Sequence, residues 1–190
     1  MSFTHDLIKL DELSARTEEG KRFYQTPQGK SYPSVTTVTG ILSKDDIQAW
    51  RKRIGEEKAD QITRAATSRG NEVHKLAELY LKNELFSQST LFDEPKTNNY
   101  KMFEVLSSVL DNKVGIVRAI EAPLYSDVLR VGGRVDLVAE WDNELAVIDF
   151  KTSSKPKKER WIDNYFMQSS AYAFMFEELT KIPINKIVIA

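Results

Sequence analysis

After residue 113 the hydrophobic pattern of this sequence changes its period, and that change limits the folds open to it. Upstream, apolar residues recur at helical spacing; downstream they run or alternate as strands do. Residues 114–126 (VGIVRAIEAPLYS), 129–141 (LRVGGRVDLVAEW) and 144–153 (ELAVIDFKTS) predict three strands. The last two are joined by WDNE, a hairpin turn with Asp142 and Asn143 at its tip. A helix is expected over 162–179, and NKIVIA opens a further strand at 185–190.

Before the switch, RFYQTPQGKSYPSVTTV (22–38) predicts a hairpin turning at Pro27 and Gly29. A helix is expected over 43–67, N-capped by Ser43 and bent or split at Gly55. A second runs over 69–85, with Val73, Leu76, Ala77 and Tyr80 as its apolar stripe. Residues 86–96 read as loop and 98–112 as another helix. The order of elements predicts an α/β or α+β fold, a central mixed β-sheet flanked by helices. At 190 residues the protein suits one domain: an N-terminal hairpin region (1–42), a helical region (43–112), and a sheet with its helix (113–190). It stops inside a strand pattern, which leaves room for a further C-terminal piece.

The absence of cysteine excludes thiol nucleophiles, disulfides and cysteine-held zinc or iron–sulfur clusters. No apolar run reaches the roughly 20 residues of a membrane span. The first twenty residues carry five acids and no apolar signal core. A cytoplasmic, soluble protein is expected. A net charge of -1 argues neither for nor against nucleic acid.

The apolar strand 145–148 leads directly into Asp149, Phe150 and Lys151. Asp149 and Lys151 are two apart and share a face, while Ile148 and Phe150 take the other. An unpaired charge there is costly, so the pair needs partners or a solvent cleft. With a two-residue turn at 142–143, paired residues have indices summing to about 285, which sets Asp136 opposite Asp149. Facing carboxylates repel unless a cation lies between them, and oxygen donors suit Mg²⁺ or Mn²⁺. Gly132 and Gly133 precede the site, where a backbone or ligand could approach closely. The residues alone leave a second reading open, an exposed hairpin with a surface Asp–Lys pair. His74 stands beside the apolar stripe of its helix, either as a ligand or as a hydrogen-bonded border residue, with Glu78 one turn on. Gln168 and Tyr172, one turn apart, share a stripe with Tyr165 and Met175. The amide of such a glutamine needs partners.

RGNEVH, GGRVDLVA, VIDFKTS and QSSAY, in that order, resemble the motifs of the PD-(D/E)XK nuclease superfamily. The resemblance is to its RecB-like exonuclease branch, the phage-type and mitochondrial genome maintenance exonucleases, and covers roughly residues 22–175. Val135 stands where the superfamily name has proline. The resemblance implies a restriction-endonuclease-like core and an Mg²⁺- or Mn²⁺-dependent exonuclease on single-stranded DNA or DNA ends. It implies a role in replication, recombination or repair in a bacterial or phage-infected cell. His74, Asp136, Asp149 and the Phe150 carbonyl would hold the metal. Lys151 would position or help deprotonate the attacking water and steady the phosphorane charge. Glu121 would support the site; Gln168 and Tyr172 would orient it or contact the strand. Lys155, Lys157, Lys158 and Arg160 after the motif, and Arg69 before it, could hold phosphates. Tyr32, Trp50 and Trp161 could stack on bases or simply pack. An endonuclease on the same fold and a non-catalytic nucleic-acid-binding module remain as alternatives.

Overall fold

The computed structural model describes residues 2–85, 97–154 and 162–190. Its centre is a four-stranded sheet in the order β4 (Val114–Ser126), β5 (Val131–Trp141), β6 (Glu144–Asp149), β7 (Lys186–Ile189). The first three pair antiparallel and β7 joins β6 in parallel, so the sheet is mixed. The β5–β6 turn has Asp142 and Asn143 at φ 53° and 65°, the left-handed pair of a two-residue hairpin whose twist matches its strands.

Both faces of the sheet are covered. Leu76 and Tyr80 of α3 (Glu56–Leu81) and Phe103 and Leu110 of α4 (Asn98–Lys113) pack on Leu137, Ala139, Ile148 and Phe150. Tyr172, Met175 and Phe176 of α5 (Asp163–Thr180) pack on Val135, Val138 and Val147. Ala146, Val147 and Ile148 are wholly buried. Burying a Val or Ile side chain of this kind contributes about 1.5–3 kcal/mol. The alternate residues of β6 therefore feed two cores, which explains the unbroken apolar run.

A smaller sheet, β1 (Ser14–Glu18), β2 (Lys21–Gln25), β3 (Ser31–Pro33), lies at the N-terminal end. Tyr24 joins it to the main sheet: a Cβ at Gly132 would come within 2.8 Å of the Tyr24 Cβ.

Four local expectations change. SVTTV is helix α1 (Val35–Thr39) rather than the second half of a hairpin arm. Ser34 caps it, its Oγ accepting from the Thr37 amide at 2.9 Å, and Val35 is buried against the α5 side. Capping and burial override the strand preference of five β-branched residues in a row. β1 is an additional strand whose five residues are all exposed, so no burial pattern marks it. Gly55, at φ 88°, does separate α2 (Lys44–Ile54) from α3, but the helices expected over 43–67 and 69–85 are not separate, since α3 runs unbroken from Glu56 to Leu81. The Ser43 hydroxyl does not cap α2; its Oγ accepts from Asn164 instead, at 2.6 Å. The loop expected at 86–96 lies outside the described residues. Among those described, no helix is long and apolar enough to cross a membrane.

Candidate active site

The β5–β6 ladder keeps the register set by the turn and ends at Leu137–Ile148, one step short of Asp136 and Asp149. There a carboxylate replaces the ladder. The Phe150 amide donates to Asp136 Oδ2 at 2.7 Å. The carbonyl of the same residue accepts from His74 Nε2 at 2.8 Å. With its proton on Nε2, His74 turns Nδ1 toward Asp136 Oδ1, 3.4 Å away.

Asp149 is 1% exposed. Its Oδ2 meets the Lys151 ammonium, and its Oδ1 accepts from Gln168 Nε2 at 3.2 Å. The same amide nitrogen donates to the Tyr172 hydroxyl at 3.3 Å, so both its protons are used. Tyr172 reaches this position because residue 133 is a glycine; a Cβ there would lie 2.6 Å from the tyrosine ring. Lys151 also lies over the Tyr165 ring, 5.3 Å from its centroid.

Glu121 comes from β4. The pairs Ile120–Leu137 and Ala122–Val135 set it opposite Asp136. Its backbone is left-handed at φ 47°, an unfavourable conformation for a non-glycine residue in a strand. The Arg134 guanidinium donates to its carbonyl and helps hold the kink. One ligand atom each from His74, Glu121 and Asp136 falls within 4.8 Å of the others. They line an open depression of about 440 Å³ with Thr67, Gly70 and Asn71.

These carboxylates crowd one another. Burial, then the Asp136 charge, pushes Glu121 up to about 7. Burial pushes Asp149 up to about 6; Lys151 pulls it back and Asp136 adds to the rise. Burial draws His74 down, but the bond and charge of Asp136, the Phe150 carbonyl and the Glu121 charge together outweigh it and leave it raised. Burial raises the Tyr172 hydroxyl as well, so it stays neutral.

Sequence comparison matches residues 91–186, just over half of the protein, to the PD-(D/E)XK nuclease superfamily. The chain belongs to that superfamily. It is similar to mitochondrial genome maintenance exonuclease 1 of Homo sapiens, 33% identical over 135 residues, which cover 66% of this chain and 38% of the relative. The mouse protein is 29% identical over 138 residues, covering 68% and 39%. The Xenopus tropicalis protein is 32% identical over 136 residues, covering 65% and 38%. The chain thus spans less than two-fifths of the length of these relatives.

Within this PD-(D/E)XK protein the residues expected to hold a metal separate into two adjoining groups. His74 and Asp136 gather with Glu121, which was expected only to support the site. Asp149 is instead held by Lys151 and Gln168. The Phe150 carbonyl, expected as a ligand, is engaged by His74 and orients its ring, the arrangement usual around ligating histidines. An imidazole with two carboxylates, one of them raised by burial and by its charged neighbour until a cation draws off its proton, is a donor set that fits a divalent cation. Glu78 borders the same depression and is paired with Lys75 at 3.0 Å and Lys82 at 2.6 Å. Arg69 is half-buried on α3, and its Nε has no hydrogen-bond partner among the described residues. Lys155, Lys157, Lys158, Arg160 and Trp161 lie outside the described residues. Tyr32 donates to Asp127 at 2.7 Å, bracing a turn rather than offering a free ring edge. Sequence reasoning missed Arg134, although a lone base two residues before Asp136, on its face of the strand, was a usable signal.

Proposed function

We propose that residues 1–190 form one nuclease domain that hydrolyses DNA phosphodiesters with a divalent cation, Mg²⁺ or Mn²⁺, as an exonuclease on single strands or DNA ends. The observation that carries this reading is the convergence, at one end of the sheet, of His74, Glu121 and Asp136 beside the Asp149–Lys151 pair. The similarity to relatives named as exonucleases supports the end-directed part.

His74, Glu121 and Asp136 would hold the cation, with Asp149 next to them. When bound, it supplies charge neutralisation at the phosphate oxygens and lowers the pKa of a water. Lys151 presents its ammonium from a pocket formed by Asp149 and Tyr165. From there it orients the attacking water and steadies the charge growing on the phosphate. Gln168 and Tyr172 fix Asp149, which keeps Lys151 in place. Arg69 and the bases of 155–160 would hold the flanking phosphates.

The test uses linear and circular single-stranded DNA with Mg²⁺, Mn²⁺ or EDTA, beside Lys151→Ala. The expected result is metal-dependent loss of linear DNA, survival of circles, and an inactive variant. Cleavage of circles would assign an endonuclease instead. Binding without cleavage in any metal would leave a nucleic-acid-binding module.

A further inference from the structure

On the α4 side of the Phe150 peptide lies a second cavity, of about 330 Å³. Its walls are aliphatic or aromatic: Val73, Met102, Val105, Val109 and the ring of Phe150. Its polar groups come from Lys151, Thr152 and Ser153, the segment that follows the catalytic strand. Val73 and Phe150 are 3% exposed and form the floor. Val105, by contrast, is 69% exposed and Val109 39%, on a helix that buries Phe103 and Leu110.

We propose that this cavity takes an unpaired nucleobase of the substrate, the one next to the scissile phosphate. The proposal rests on the nuclease reading and names what selects its substrate. Three observations favour a base as occupant. First, the cavity and the catalytic group share a wall: Val73 adjoins His74, and the Phe150 backbone bonds both His74 and Asp136. A phosphate at Lys151 therefore places its neighbouring base within reach. Second, an apolar body with polar edges matches a lining that is mostly aliphatic or aromatic, with its polar groups on one segment. Third, most of the lining is hydrocarbon, which grips any base by its faces, and the side-chain donors are confined to the 151–153 segment. That suits an enzyme tolerant of sequence. A base can enter only after leaving its stack and its partner, so the cavity favours single strands over duplex.

The experiment scans one 2-aminopurine along a phosphorothioate single strand, which resists hydrolysis, and follows its fluorescence with Mg²⁺ and protein. The expected result is a change at one position from the cleaved end. That change is lost, with binding weakened about tenfold, in Val105→Asp and in Val105→Trp, which fills the space. Equal responses at every position, or a response unchanged in both variants, would overturn the proposal. So would variants that lower the melting temperature and leave the response intact, since the cavity would then serve protein packing. Cleavage of ordinary linear DNA without a position-specific signal would sink the cavity and spare the nuclease reading. A position-specific signal without cleavage would do the reverse.

Discussion

The last four residues of β6 are buried, whereas all five residues of β1 are exposed. In β6 a charge cannot stand without partners, and Asp149 has two, Lys151 and Gln168, set against the repulsion of Asp136. In β1, Arg16 and Glu18 pair across open solvent at 2.9 Å, both more than half exposed, where such a pair is worth little. The difference separates two kinds of charged strand. Burial turns each polar residue into part of a network with a specific geometry; exposure leaves it replaceable.

The sharpest break between the two strands is catalytic. Lys151→Arg, which keeps a cation beside Asp149, or Asp136→Asn should lower cleavage of linear single-stranded DNA by about 10²–10⁴-fold while the melting temperature moves little. A fall in activity matched by unfolding would place these residues in the scaffold instead. Next in size, Ile148→Ala should cost about 2–5 kcal/mol in urea unfolding, because it opens a cavity between β6 and the α3–α4 layer. A loss below about 1 kcal/mol would mean that the strand is less enclosed than its neighbours indicate.

Gly133→Ala should displace Tyr172 and, through Gln168, Asp149. Cleavage should drop, and pairing it with Tyr172→Leu should restore part of the stability lost. An additive double variant would deny that the two residues touch. A smaller effect follows from pH. Glu121 and Asp149 titrate near 7 and 6 in the folded protein, above their ordinary 4.5 and 3.8. Between those values the native state binds more protons than the unfolded state. Their stabilisation is therefore complete below the ordinary values and is lost as pH rises through 6 and 7. His74, also raised, acts in the same sense. Melting in EDTA should fall from about pH 5 to pH 8, and a divalent cation should offset the fall by binding the ionised ligands. A melting temperature that climbs with pH in EDTA would contradict the described burial. Least of all, Arg16→Ala should change stability by less than about 0.5 kcal/mol in the same unfolding assay.

What the sequence disclosed follows the same division. The central strands, their register and α5 were legible because burial forces a period on them, and the WDNE turn fixes which residues face each other. β1 was not legible, since no core selects its residues. α1 reads as strand in the sequence because five β-branched residues outweigh a cap whose partner lies three positions on. At the site, His74, Asp136, Asp149, Lys151, Gln168 and Tyr172 were expected together, and the fold brings them to one end of the sheet. The kink that aims Glu121 beside Asp136 was hidden, because a left-handed glutamate has no sequence signature. Gly133 was expected to admit a backbone or ligand; what it admits is Tyr172.

The backbone at Phe150 gives the site an unusual genetic property. The groups that grip Asp136 and His74 there are an amide N–H and a peptide carbonyl. Every residue type but proline carries that N–H, and every type carries the carbonyl. Single-codon change at this position can therefore perturb packing while leaving the grip on both side chains in place, and only a proline codon deletes half of it. Part of the apparatus is written in the backbone, out of reach of most mutation.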